Sequence, residues 1–515
     1  MRSSRPRNRS WARAGIVSAA GIAMLATMAG TSAAESPPAE RAGTRPATMT
    51  VHPALDLILP SNIRLVQTRT SLLGQHKWYR QVADGHIVVG GWYGTHYNRF
   101  THALTVWDGR RSGLSMSRRA PTLRMARAAT LAARHGGTTV AQVTATSLEV
   151  LAPTSRNARA RLVYAIGSAD GRGARTSYVD AVDGTVLKTT VVSGKAAGDP
   201  KAAVTGTGRV FDPNPVVKLQ DESLTDQRDA VHAVPAAGYT RRTLYRLNGS
   251  HELSGRYARI TNPDRAHSTT DTYVYNRSNP YFEQTNAYYS VDGEQAFLQS
   301  LGFTDVNSEA QRVRTNAFAE DNSYYDDTTD QISLGRGGVD DAEDPEVVWH
   351  EYGHAIQADQ VIDFGWGSQA AAIGEGFGDY MAVTMSQGAA PVGTDVSPAA
   401  CVMDWDATSY TRTSPHCLRR TNTNKTYPVD LNTDPHLSGE IWSRALWDMN
   451  RSMGRDDATR VIVESQFWMY PSVRMPAAAK IMVSTAKRLV QNGLIATGSV
   501  TKVRTALLAG HLLAG

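Results

Sequence analysis

This 515-residue chain is almost without cysteine: it has two, Cys401 and Cys417. Neither stands near the N-terminus, which excludes lipid attachment to a leading cysteine. A lone pair in one region predicts a disulfide in an oxidising compartment, with two free thiols as the alternative. Acidic residues are missing from the first 34 positions, where Arg2, Arg5, Arg7, Arg9 and Arg13 make a basic head, residues 14–30 are apolar or small, and Ser32-Ala33-Ala34 offers a small-residue cleavage site. That layout predicts a signal peptide over 1–34; a membrane anchor is the alternative, and the Gly and Ala content argues against it. No two arginines of the head adjoin, which argues against the twin-arginine route. No other run is apolar enough to span a bilayer, so no membrane association is expected once the leader is gone.

Acids are also scarce in residues 35–195, which carry a net +12, while 196–515 carry −11 and the leader +5. The overall +6 therefore belongs to the leader and the N-terminal third, and it implies no nucleic-acid partner. Two oppositely charged blocks in one precursor point to two modules in contact. Residues 35–50 and 192–206 read as linkers. Between them, stretches such as Trp78-Tyr79-Arg80-Gln81-Val82 predict strands over 62–107, followed by a helix at 122–134 and strands at 138–151, 161–167 and 176–191. Short strands and turns continue through 207–281. A helix is expected at 283–301, strands at 311–319 and 329–335, and helices at 344–360, 367–386, 437–452, 456–467 and 475–492. A β-rich half followed by a helical half, with no internal repeat, predicts an α+β fold.

What is there in abundance is acid near one histidine pair. Residues 301–400 hold 3 basic and 18 acidic side chains, and among them stands His350-Glu351-Tyr352-Gly353-His354. On a helix, positions i and i+4 share a face, so both imidazoles can bind one Zn²⁺, with Glu351 placed to take a proton from water at the metal. A catalytic zinc needs a third protein ligand and an open position. In Gly374-Glu375-Gly376-Phe377-Gly378-Asp379, Glu375 is the candidate ligand, and Asp379, one turn on, can accept the free N–H of a ligating histidine. In Asp434-Pro435-His436, the imidazole is a candidate donor to an oxyanion and Asp434 the nearest group to hold its charge. A lone histidine is more often an ordinary satisfied polar residue, so His436 draws its interest from its neighbours.

The set His350-Glu351-x-x-His354, Glu375 and Asp379 resembles the gluzincin metallopeptidases. The Tyr352-bearing helix, Glu375-Gly376-Phe377-Gly378-Asp379 and His436-x-x-Gly439-x-x-Trp442 look closest to the fungalysin family, a thermolysin-related group. Thr68-Arg69-Thr70-Ser71-Leu72-Leu73-Gly74 and the strand pair after it resemble fungalysin/thermolysin prodomains, and Asn316-Ala317-Phe318-Ala319 resembles the substrate-binding edge strand of thermolysin-like enzymes. The resemblance implies a signal peptide (1–34), an inhibitory and folding-assisting propeptide (35–195) and a two-lobed catalytic domain (196–515) with zinc between its lobes. It implies His350, His354 and Glu375 as ligands, Glu351 as base, His436 as oxyanion donor, and Asn316 and Ala317 as binders of substrate backbone. The expected activity is that of a secreted zinc endopeptidase acting on proteins or peptides. A binding protein that has lost catalysis is the alternative, and an aminopeptidase is disfavoured because no Gly-x-Met-x-Asn strand is present. Two departures stand out: Ala319 replaces the tryptophan of thermolysin-like enzymes, and no assisting tyrosine can be placed in 355–370. The acids of 320–346 could also hold Ca²⁺, a solvated acidic loop being the alternative.

Overall fold

Period-two alternation builds the N-terminal part of the chain. In this computed structural model, residues 48–53, 57–116, 120–153, 159–170, 173–191, 203–389, 400–412 and 414–514 are described; the expected leader and most of both expected linkers lie outside them. Strands β1 (Thr48–Pro53), β2 (Ile63–Thr70), β3 (Gly74–Ala83), β4 (His86–Asn98), β5 (Ala103–Gly109), β6 (Val143–Leu151), β7 (Arg161–Asp170), β8 (Gly173–Asp180) and β9 (Val186–Val191) form one sheet. Its path runs β1-β5-β4-β6-β7-β8-β9, with β3 pairing β4 and β2 pairing β3. Asp84 and Gly85 both take positive φ (47° and 83°), which gives the two-residue turn that lets β3 fold back on β4. Helix α1 (Met125–Gly136) presses Ala128, Ala129 and Ala132 onto Val88, Val150, Leu162, Ile166 and Val179. Small side chains on that face bring the helix close to the strands.

The rest of the chain has strands first and helices after, as expected. A three-stranded sheet runs β11-β10-β13, from β10 (Val204–Phe211), β11 (Tyr239–Leu247) and β13 (Thr272–Tyr273). A four-stranded sheet runs β12-β14-β16-β15, from β12 (Ala258–Ile260), β14 (Gln311–Arg314), β15 (Ser323–Asp326) and β16 (Gln331–Leu334). Helices α2 (Pro215–Leu219), α3 (Pro280–Ser300), α4 (Pro345–Gln360), α5 (Ser368–Ala389), α6 (Pro435–Met453), α7 (Arg455–Gln466), α8 (Met475–Gln491) and α9 (Ser499–Ala509) follow; a two-stranded ribbon of β17 (Cys401–Val402) and β18 (Arg419–Arg420) precedes α6. The mixture is α+β.

Three long helices start the same way. Asn279, Asp344 and Asp434 each precede a proline and accept a hydrogen bond from the second residue beyond, at Tyr281, Glu346 and His436. The side chain satisfies one free N–H, and proline occupies a position whose N–H would have no partner. α5 and α6 cross at glycines: a Cβ on Gly376 would stand 2.5 Å from Gly439 O, and one on Gly439 would stand 2.9 Å from Glu375 Cβ. Only bare backbone fits there.

The two parts are locked together. Arg69 Nη2 lies 2.7 Å from Asp359 Oδ1, and Arg80 pairs with Asp363 at 2.6 Å. Trp78 Nε1 donates to Gln360 O and Trp107 Nε1 to Trp468 O, at 2.9 and 3.1 Å. Glu464 on α7 accepts from Ser71 Oγ, Leu72 N and Leu73 N. Arginines of the basic block thus meet acids of the acidic block at the end of α4.

Three differences from the sequence reading have physical reasons. The strand expected over 311–319 stops at Arg314, because Asn316 takes φ 49° and turns the chain. The segment 138–151 begins as a 3-10 turn at Val140–Gln142, closed by a reciprocal cap between Thr139 and Gln142, before β6. Helix α9 was not anticipated; Val503, Ala506 and Leu507 seat it in the main core. Cys401 and Cys417 form a disulfide.

Candidate active site

Helix α4 buries Val348, Tyr352, Ala355 and Ile356 in the core, and this fixes the face on which His350 and His354 stand. The two rings meet edge to face, 4.9 Å between centroids. α5 packs alongside and brings Glu375: its Oε2 lies 3.3 Å from His350 Nε2 and its Oε1 3.7 Å from His354 Nε2. One ligand atom from each of His350, His354 and Glu375 lies within 4.8 Å of the others, so the three could hold one metal ion. Gly378 permits this approach, since a Cβ there would stand 2.6 Å from His350 Nδ1.

Behind the cluster, His350 Nδ1 faces Asp379 Oδ1 at 3.0 Å. Asp379 is fully buried and is held by Arg419 of β18, whose Nε and Nη2 reach its oxygens at 2.7–3.1 Å. Burial alone would favour the neutral acid, but Arg419 and His350 outweigh it and bring the pKa of Asp379 down to about 2. Arg419 escaped the sequence reading. It lies 40 positions from Asp379, in a two-residue strand without periodicity, and no local signal marks it.

Glu351, next to His350, is 7% exposed, and its Oε2 has no hydrogen-bond partner. Burial raises its pKa to about 7, with the charge of His350 opposing the rise. His436 opens α6, its side chain half exposed. Nδ1 lies 2.9 Å from Asp434 Oδ1, and Nε2 lies 3.3 Å from Glu375 Oε2. The Glu375 carboxylate is the main cause of a raised His436 pKa; desolvation opposes it, and Asp434 adds to it.

The structure thus brings His350, Glu351, His354, Glu375, Asp379, His436 and Asp434 into one neighbourhood from three helices. Asn316 and Ala317 are placed differently, by the four-stranded sheet: Ala317 N donates to Leu334 O at 2.8 Å, and Asn316 Oδ1 is buried without a partner. Ala319 is exposed.

Residues 258–458 match the family model described as fungalysin metallopeptidase (M36). No curated protein matches the chain. Among solved structures, the Bacillus megaterium YpeB C-terminal domain is similar over 26% of this chain at 8% identity and a TM-score of 0.19; this chain covers 58% of that structure. The matched segment, less than half of the chain, contains α4, α5 and α6 with every residue of the cluster, and over that segment the chain is similar to the fungalysin metallopeptidases.

Proposed function

We propose that this chain is a secreted zinc endopeptidase made as a zymogen, with a signal peptide over 1–34, a propeptide over 35–195 and a two-lobed, thermolysin-like catalytic domain over 196–515. The observation that carries the reading is the convergence of two imidazoles and one carboxylate with a free buried Glu351 oxygen beside them. Two nitrogens and one oxygen suit zinc, and three protein ligands leave a position for water. A zinc ion held by His350, His354 and Glu375 would supply a Lewis acid that polarises water and the scissile carbonyl.

The chain's own residues do the rest. Glu351 accepts the proton of the attacking water and returns it to the departing amine; burial keeps its basicity near neutrality, where a base is most useful. His436 donates from Nε2 to the oxygen that gains charge, while Asp434 holds its Nδ1. Asp379 fixes the ring of His350. Asn316 and Ala317 bind substrate backbone as an added strand. The propeptide is the intramolecular partner, docked through Arg69 and Arg80. The +12 charge of residues 35–195 against −11 beyond them supports that pairing.

The test is release of internal peptides from a folded protein by the matured enzyme. A chelator should abolish release and equimolar Zn²⁺ restore it. Zinc-loaded enzyme that binds peptides and cleaves none would establish the non-catalytic reading, and removal of single N-terminal residues an aminopeptidase.

A further inference from the structure

A second convergence of acids lies apart from the histidine cluster. Asp321 follows the Asn316 turn, Asp341 opens the 3-10 turn Asp341–Glu343 before α4, and Asp406 opens the 3-10 turn Asp406–Ser409. One carboxylate oxygen from each lies within 4.8 Å of the others. Asp341 and Asp406 are 3% and 4% exposed, and Oδ1 of each is buried with no hydrogen-bond partner. Two of the other oxygens are oriented by hydroxyls, Ser323 donating to Asp341 Oδ2 and Tyr410 to Asp321 Oδ1.

The fold makes room for this arrangement. Gly338 has φ 68°, and a Cβ there would stand 2.1 Å from Asp321 Oδ2; one on Gly337 would stand 2.4 Å from Asp321 N. The chain wraps around Asp321 with bare backbone and continues to Val339, whose N–H is tied to Ser409 Oγ at 2.7 Å.

A neighbouring acid trio shows what is missing. Asp226, Asp229 and Glu343 also converge, but Arg277, fully buried, lies 2.6 Å from Glu343 and 3.6 Å from Asp229 and donates to Asp226. Among the described residues no arginine or lysine forms an ion pair with Asp321, Asp341 or Asp406. Arg419, the cation whose charge reaches Asp406, is committed to Asp379. Two buried carboxylates and a half-buried third without a positive partner are costly unless a cation joins them.

We propose that Asp321, Asp341 and Asp406 form a second metal site, which takes one hard divalent cation. The donors are all oxygen, with no imidazole or thiolate, which selects a calcium-like ion over zinc. Two oxygens that each lie about 2.3–2.6 Å from one ion stand at most about 5 Å apart, and the observed spacing meets that limit. Such an ion ties together the Asn316 turn, the approach to α4 and the segment after β17, so it holds the walls of the candidate cleft without touching substrate.

The probe is Ca²⁺ added to the zinc-containing full chain in metal-depleted buffer, with zinc content followed by elemental analysis. At roughly a hundred times its dissociation constant, Ca²⁺ should raise Tm by about 5 °C with zinc unchanged. Asp406→Asn and Asp341→Asn should remove the rise. Should both variants fail to fold, Tb³⁺ luminescence on the wild-type chain, excited through Tyr410 and displaced by Ca²⁺, provides the decision. The proposal is overturned if Tm and luminescence ignore Ca²⁺, which would mean that the acids are simply protonated. It is equally overturned if Asp406→Asn folds and keeps the full Ca²⁺ response, which would place the ion elsewhere.

Discussion

Arg419 grips Asp379 with two nitrogens while the same carboxylate faces His350 Nδ1 at 3.0 Å. The contact is a relay of position: a guanidinium keeps the acid ionised, and the acid aims an imidazole. Removing one partner of a buried pair leaves the other uncompensated, at a cost of about 3–5 kcal/mol. Arg419→Ala should therefore lower Tm by several degrees, and Arg419→Lys should recover only part, since an ammonium cannot make the forked contact. Asp379→Asn should weaken zinc binding about 10–100-fold in a chelator competition. Unchanged zinc affinity in a folded Asp379→Asn enzyme would remove the positioning role.

Glu351→Gln leaves all three candidate ligands in place. Zinc content should match the wild type, while kcat falls about 10²–10⁴-fold, the usual contribution of a proton-transfer group. Near-normal turnover in the purified variant would sink the mechanism.

His436→Ala should act on kcat far more than on KM, because a donor to developing charge contributes chiefly in the transition state. A drop of about 10²–10³-fold is expected. A change confined to KM would reassign His436 to substrate binding.

Separately made residues 35–195 should inhibit the mature enzyme in trans. Arg69–Asp359 and Arg80–Asp363 bridge the two parts, so the association rate should fall as salt rises and the screening length shortens to about 8 Å near physiological strength. Arg69→Ala with Arg80→Ala should reduce both the rate and its salt dependence. Inhibition at a salt-independent rate would remove the electrostatic cause, and folded propeptide without inhibition would remove the inhibitor role.

Acid should loosen the precursor through His96. This ring is fully buried, lies 2.9 Å (Nδ1 to Nδ1) from His76, and has its pKa lowered by burial from 6.5 to about 3. The unfolded chain takes up a proton below 6.5 that the folded one refuses, so stability is intact above 6.5 and is lost as pH falls towards 3, by up to about 1.4 kcal/mol per unit. Glu464 acts with the opposite sign: burial raises it from 4.5 to about 7, so its contribution is lost as pH rises through that window. Between 4.5 and 6.5 the two slopes oppose each other, so thermal melts of His96→Gln should there lose stability as pH rises and those of Glu464→Gln as pH falls, while the wild type stays nearly level. Curves parallel to the wild type would show that neither group governs the response.

Spacing along the chain revealed the helices and the cluster they carry. His350 and His354, or Glu375 and Asp379, are neighbours through helical geometry alone, whereas the caps Asn279 and Asp434 start their helices at Pro280 and Pro435, ahead of the expected 283 and 437. Contacts that depend on tertiary folding left no local trace. Arg419 reaches Asp379 from a two-residue strand, and Asp406 joins Asp341 only because the segment after β17 folds back beneath α4. The strand read over 311–319 failed for a related reason: nothing in its apolar pattern reveals that Asn316 adopts a left-handed backbone.

The crossing of α5 and α6 has a mechanical consequence. Glu375 adjoins Gly376 and His436 lies one turn before Gly439, so the gap between two functional groups on different helices is gauged by two backbones at their point of contact. At such a fulcrum there is no slack to absorb an error. A single methyl at position 439 would act as a wedge 2.9 Å from Glu375 Cβ, prising Glu375 and His436 apart before any chemical group had been altered. The spacing of this candidate pair is thus guarded by residues that have no side chain at all.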